Sequence, residues 1–268
     1  MISFALPWLL CLAADAAPQT AALEAGYRQM YNLEFNEAHK TFAEYAKTFP
    51  GDPVGPASNA AAYLFAEMDR LNILQSQFFV DDDNFRHPKK LSPDRSVRQA
   101  FDAELAKAEK MSTTVLNTAP RDRNALFASL LSNGLRSDYD GLIDKRYLTA
   151  LTSVKNSRIT AEKLLAIDPM FYDAHLAVGV ENYMLSLKAA PFRLFLRLAG
   201  AETDRDVGLQ RLRLTAENGH YLKPYARLLL AVAALRDMDR VTARALLRDL
   251  SQQFPHNHLY QEELARLR

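Results

Sequence analysis

Two stretches near opposite ends of the chain share one spacing of small residues and proline. Gly26, Ala38 and Pro50 stand 12 residues apart each, and Ala231, Ala243 and Pro255 repeat those intervals. This pattern constrains the fold more tightly than any composition value. A small residue on each of two successive helices lets their backbones cross closely. Proline lacks an amide donor and restricts its predecessor, so it closes the second helix. Proline also follows a polar helix end in "NTAPRD" at Pro120 and "AIDPMF" at Pro169. Ala108 lies 12 residues before Pro120, and Gly179 lies 10 after Pro169, so the same arrangement is predicted in the middle of the chain.

The residues Gly26, Ala38, Phe42 and Pro50, with Ala231, Ala243, Leu247 and Pro255, resemble the tetratricopeptide repeat (TPR), a helix-turn-helix unit of about 34 residues. The resemblance implies an all-α fold, a right-handed α-solenoid of about five helix pairs. The units fall near 19–53, 54–120, 121–169, 170–219 and 220–255, and "HLYQEELARLR" makes a C-terminal cap over 257–268. Unit two carries an insertion, "FVDDDNFRHPKKLSP", between helices predicted near 56–78 and 94–117, and unit three has a long second helix near 141–166. The run "GVENYMLS…PFRLFLRLAG…DRDVGLQRLRLTAENGHY" looks like exported bacterial TPR-like proteins and, more distantly, like the eukaryotic TPR-39 and Iml-type outer-membrane-associated family. That likeness implies a scaffold role and carries no catalytic residue to transfer.

In TPR arrays the opening helices line a concave groove, and side chains shortly after the small crossing residue face it. The resemblance therefore nominates Tyr27, Met30, Tyr31, Val180, Tyr183 and Met184, with Asn59 and Tyr63 from unit two, as contacts for a protein or peptide partner. Tyr and Met bury area while adapting or hydrogen bonding.

Gly179 and Gly208 are 29 residues apart instead of 12, so about 17 residues are inserted between the crossing positions of unit four. Pro191 suits a first helical position, Gly200 a left-handed stop, and Thr203 with Asp206 a restart. The insertion reads as a wedge helix packed on the solenoid with Arg193 and Arg197 facing water. The alternative is a peripheral membrane or apolar-ligand contact over 190–199 through Phe192, Arg193, Phe195 and Arg197.

The run Met1–Ala14 is uncharged and ends in Ala14-Asp15-Ala16, which reads residues 1–16 as an export signal and the location as bacterial periplasm or envelope. No basic residue precedes the run, and a packed N-terminal helix is the other reading. Cys11, the one cysteine, lies inside it, so cleavage leaves no thiol for disulfides or cysteine metal sites. With 33 Lys and Arg against 32 Asp and Glu, no global field points to nucleic acid. No phosphate-binding loop, dinucleotide fingerprint, nucleophile elbow or zinc-protease motif occurs, so neither enzyme nor cofactor is predicted. Three weaker groupings read as ordinary surface or helix residues: His256 with His258, Asp81 to Asp83 with Asn84, and His175 with Glu181.

Overall fold

The computed structural model describes residues 18–74 and 91–267, and side chains from Thr20 onward. The export run and the aspartates Asp81 to Asp83 lie outside the described residues. Among those described the fold is helical without strands. Six helices form the first part: α1 (Pro18–Tyr31), α2 (Phe35–Thr48), α3 (Val54–Arg70), α4 (Arg95–Thr118), α5 (Arg123–Asp138) and α6 (Tyr147–Ile167). The second part holds α7 (His175–Ser186), α8 (Ala190–Leu198), α9 (Arg205–Asn218), α10 (Lys223–Arg236), α11 (Arg240–Gln253) and α12 (His258–Arg266). Helices pack most extensively as α1/α2, α3/α4, α5/α6, α7/α9 and α10/α11, and each pair then leans on the next.

One local device recurs at four pair boundaries. The residues after α2, α4, α6 and α11 are Phe49, Ala119, Asp168 and Phe254, with φ of −124°, −131°, −136° and −128°. Each precedes proline, whose ring forces it out of the helical region. Its carbonyl then accepts the amide three residues on, from Asp52, Asp122, Phe171 and Asn257 at 3.0–3.1 Å, closing a turn with proline at its second position. Asp52, Asp122 and Asn257 cap the following segment through their side chains, on the amides of Val54, Ala125 and Leu259. The proline therefore ends one helix while the Asx residue starts the next.

Glycine sets the closest crossings. A Cβ on Gly26 would lie 2.3 Å from the Phe42 ring, and one on Gly208 would lie 2.5 Å from the backbone nitrogen of Tyr183. A Cβ on Gly179 would meet Leu212 at 2.9 Å. The Gly179/Gly208 crossing holds despite the inserted helix between them, because α7 and α9 still pack as a pair.

Several predicted details differ. The helix expected over 56–78 ends at Arg70, where Asn72 turns left-handed at φ 58°. The helix expected over 141–166 starts at Tyr147, after a π-helical turn at Tyr139–Ile143. The restart of α9 is capped by Asp204, which accepts the amides of Asp206 and Val207 at 3.0 and 3.1 Å, while Thr203 accepts from Arg197 instead.

The ends of the array meet. The Tyr27 ring stacks on Tyr221 at 5.3 Å, Tyr31 lies 5.7 Å from Phe254, and Phe65 lies 5.6 Å from Tyr225. Asn257 donates its side-chain amide to the Tyr31 carbonyl at 2.8 Å, and the His256 backbone amide donates to Asn32 Oδ1 at 2.9 Å. Buried Asp173 accepts the amides of His220, Tyr221 and Leu222 at 3.0, 3.1 and 2.7 Å, which fixes the start of α10 where Tyr221 reaches α1. The face lined by the opening helices is thereby filled with side chains.

Candidate functional site

The opening helices α1, α3, α5, α7 and α10, with α6, surround a cavity of about 70 Å³. Four of the sequence-nominated groove residues, Tyr27, Met30, Tyr31 and Val180, line it. Tyr27, Met30 and Tyr31 are at most 4% exposed, so they line a closed interior and not an open groove. The other four go elsewhere. Asn59 Oδ1 lies 2.6 Å from His39 Nδ1 and Tyr63 stacks near the same ring at 4.0 Å, so both face α2. Tyr183 is buried against Gly208 of α9, and Met184 is half-buried against the core.

The cavity wall is apolar apart from a few groups. Ser157 donates to the Leu130 carbonyl at 2.7 Å and Ser137 to the Ala150 carbonyl at 3.0 Å, so both hydroxyls are engaged. The Tyr31 hydroxyl is buried without a partner. Asp138, at the end of α5, has no hydrogen bond or ion pair among the described residues, and burial pushes its carboxyl up to about 7. Sequence reasoning missed Asp138. It stands four residues after Gly134, the offset that relates Met30 to Gly26 and Tyr183 to Gly179, so the same rule applied to unit three would have found it.

The second candidate surface is α8, where Arg197 is exposed as expected but most of the apolar side chains expected to pack on the body face outward as well. Phe192, Leu194, Phe195 and Leu198 are 43%, 61%, 62% and 82% exposed, while Leu196 is the buried side chain of the helix. Arg193 is half-buried over the preceding loop, whereas Arg197 stays exposed with its guanidinium on the Thr203 hydroxyl. Arg193 donates to the carbonyls of Lys188 and Ser186 at 2.8 and 3.2 Å, and Arg197 donates to Thr203 Oγ1 at 2.6 Å. The physical reason is local. The end of α7 leaves carbonyls with no helical partner, and the Arg193 guanidinium satisfies two of them.

A buried network holds α8 to the body. Arg158 of α6 donates Nε to Glu181 Oε2 at 2.8 Å, Nη1 to both oxygens of Glu162 at 2.8 Å, and Nη2 to the Gly200 carbonyl at 3.2 Å. Glu181 also accepts the Glu202 amide at 3.1 Å, and Asn182 Oδ1 accepts that of Asp204 at 2.9 Å. Lys155 donates to the Ala199 carbonyl at 2.8 Å, beside Gly200 at φ +80°. These bonds fix the loop that carries α8 while its apolar face points away.

The remaining groupings separate in space. Glu181 pairs with Arg158, whereas His175 Nδ1 lies 3.2 Å from Arg211 Nη1. His256 Nδ1 sits 2.6 Å from Glu34 Oε1, and His258 Nε2 lies 3.8 Å from Glu262. Among the described residues no group of three or more His, Cys, Asp or Glu side chains is placed to hold a metal, and no helix is long and apolar enough to cross a membrane. Compared with protein families and with curated proteins, the chain matches no family and no curated protein.

Proposed function

We propose that the protein is a non-enzymatic helical scaffold of the TPR kind, exported to the bacterial envelope, that lays α8 into an apolar groove of a partner protein. The observation that carries this reading is the outward apolar face of α8 on a loop fixed by Arg158, Glu181 and Asn182. A helix docking in a groove uses side chains spaced by three and four residues, as Phe192, Phe195 and Leu194, Leu198 are. Burying four such part-exposed side chains is worth on the order of 5 kcal/mol before the costs of association, which suits a reversible contact.

A protein groove is favoured over an anionic membrane because the arginines of α8 are committed to the protein's own carbonyls and Thr203. An interfacial helix would offer them to headgroups. The filled face of the opening helices favours α8 over the concave side as the recognition surface.

Affinity capture from envelope extract tests the proposal, with wild type set against a Phe195→Ser, Leu198→Ser double variant. Wild type retains specific proteins that the variant loses, and neither pellets with phosphatidylglycerol vesicles. Equal retention by both proteins refutes the docking surface. Vesicle binding that disappears in the variant assigns α8 to the membrane instead.

A further inference from the structure

The central cavity has a chemistry that packing alone does not require. Its wall holds the rings of Tyr31, Phe65 and Tyr225, with Tyr31 and Phe65 5.9 Å apart and edge to face, and Phe65 and Tyr225 5.6 Å apart in the same manner. Asp138 is the one carboxylate among its lining residues, and no Lys, Arg or His borders it. Asp138 and Tyr225 line the same cavity, and burial and then the charge of Asp138 push the Tyr225 phenol up. The buried Tyr31 hydroxyl has no hydrogen-bond partner, and the part-exposed Asp138 carboxyl has no hydrogen bond or ion pair among the described residues. A buried polar group without a hydrogen bond is costly, and one that is retained calls for a partner from outside the chain.

A cation beside π-faces and a carboxylate meets both needs, since the ring quadrupole and the carboxylate attract the same charge. Size narrows the class. At about 10–15 Å³ for each water-sized group, a 70 Å³ cavity takes about five non-hydrogen atoms. The geometry points to a binding site for a small primary alkylammonium ion, its N–H groups donating to Asp138 and Tyr31 and its alkyl body resting on Phe65 and Tyr225. This site is separate from α8, and either can hold without the other.

Calorimetric titration of the whole protein with isobutylammonium, set against the neutral isostere 2-methylpropan-1-ol, tests the assignment. The cation binds wild type at least tenfold more tightly than the alcohol, and Asp138→Asn abolishes that margin. The titratable side chains facing the cavity besides Asp138 are the phenols of Tyr27, Tyr31 and Tyr225, all held protonated by burial. Affinity for the cation therefore rises about tenfold or more from pH 5 to pH 8, as Asp138 ionises. Equal affinity for the alcohol in wild type overturns the proposal whatever the variant does. A margin that survives in folded Asp138→Asn overturns it as well.

Discussion

Asp138 decides how stability depends on pH. Burial moves its carboxyl from 3.8 to about 7, so the folded state holds this proton more tightly than the unfolded chain does. Its contribution is full below about pH 4 and is lost as pH rises through 7. The upper limit is about 4 kcal/mol, and the true value is smaller where water reaches the carboxyl. His175 acts in the opposite sense. Burial and then the charge of Arg211 hold its imidazole down from 6.5 to about 4, so its contribution rises with pH across that window. The two slopes oppose, and the informative quantity is a difference. Urea unfolding of wild type and Asp138→Asn from pH 4 to pH 8 should show the variant gaining on wild type as pH rises. A constant difference across that range would place Asp138 in contact with water. Asp138 was legible in the sequence through its offset from Gly134, whereas its lack of a partner was not. That depends on which helices close over it.

At the scale of elements, the crossings and boundaries are local and could be read directly. Proline two residues beyond α2, α4, α6 and α11 ends each helix for a reason confined to its own dipeptide. Leu33 and Met238, each seven residues after its crossing residue Gly26 or Ala231, both adopt φ 61° in the turn that follows. Gly208 tests the crossing argument most sharply, because the atom facing its missing Cβ is backbone and cannot rotate away. Gly208→Ala should cost about 1–3 kcal/mol in chemical denaturation, as overpacking does. Gly51→Ala, with nothing within 4 Å, should stay within about 0.5 kcal/mol. Equal effects would refute the close α7/α9 crossing. The orientation of α8 was not legible, since an amphipathic pattern states that a helix has two faces and not which one turns inward. The freed carbonyls of Ser186 and Lys188 settled it by drawing in Arg193.

Across the whole molecule, the meeting of α1 with the residues that follow the last helix pair gives the five pairs a filled interior. No local pattern announces that closure, because it accumulates from small rotations between successive pairs. The contacts that complete it join residues about as far apart in sequence as the fold allows, Asn32 with His256 and Tyr31 with Asn257. They follow the same Pro-x-Asx turn that serves the boundaries after α2 and α4, so one local device also serves the longest-range contact.

Closure can be measured by cross-linking. In a Cys11→Ser background, Asn32→Cys with His256→Cys puts one thiol on each side of the contact in which the His256 backbone amide now donates to Asn32 Oδ1 at 2.9 Å. Disulfides form only when the two Cα atoms lie within about 7 Å. Mild oxidation of the dilute monomer should convert most of the protein to an internally linked form that migrates faster under non-reducing denaturing electrophoresis. Failure to form that species, or linkage only between molecules, would mean that the array is open and that its concave face is free.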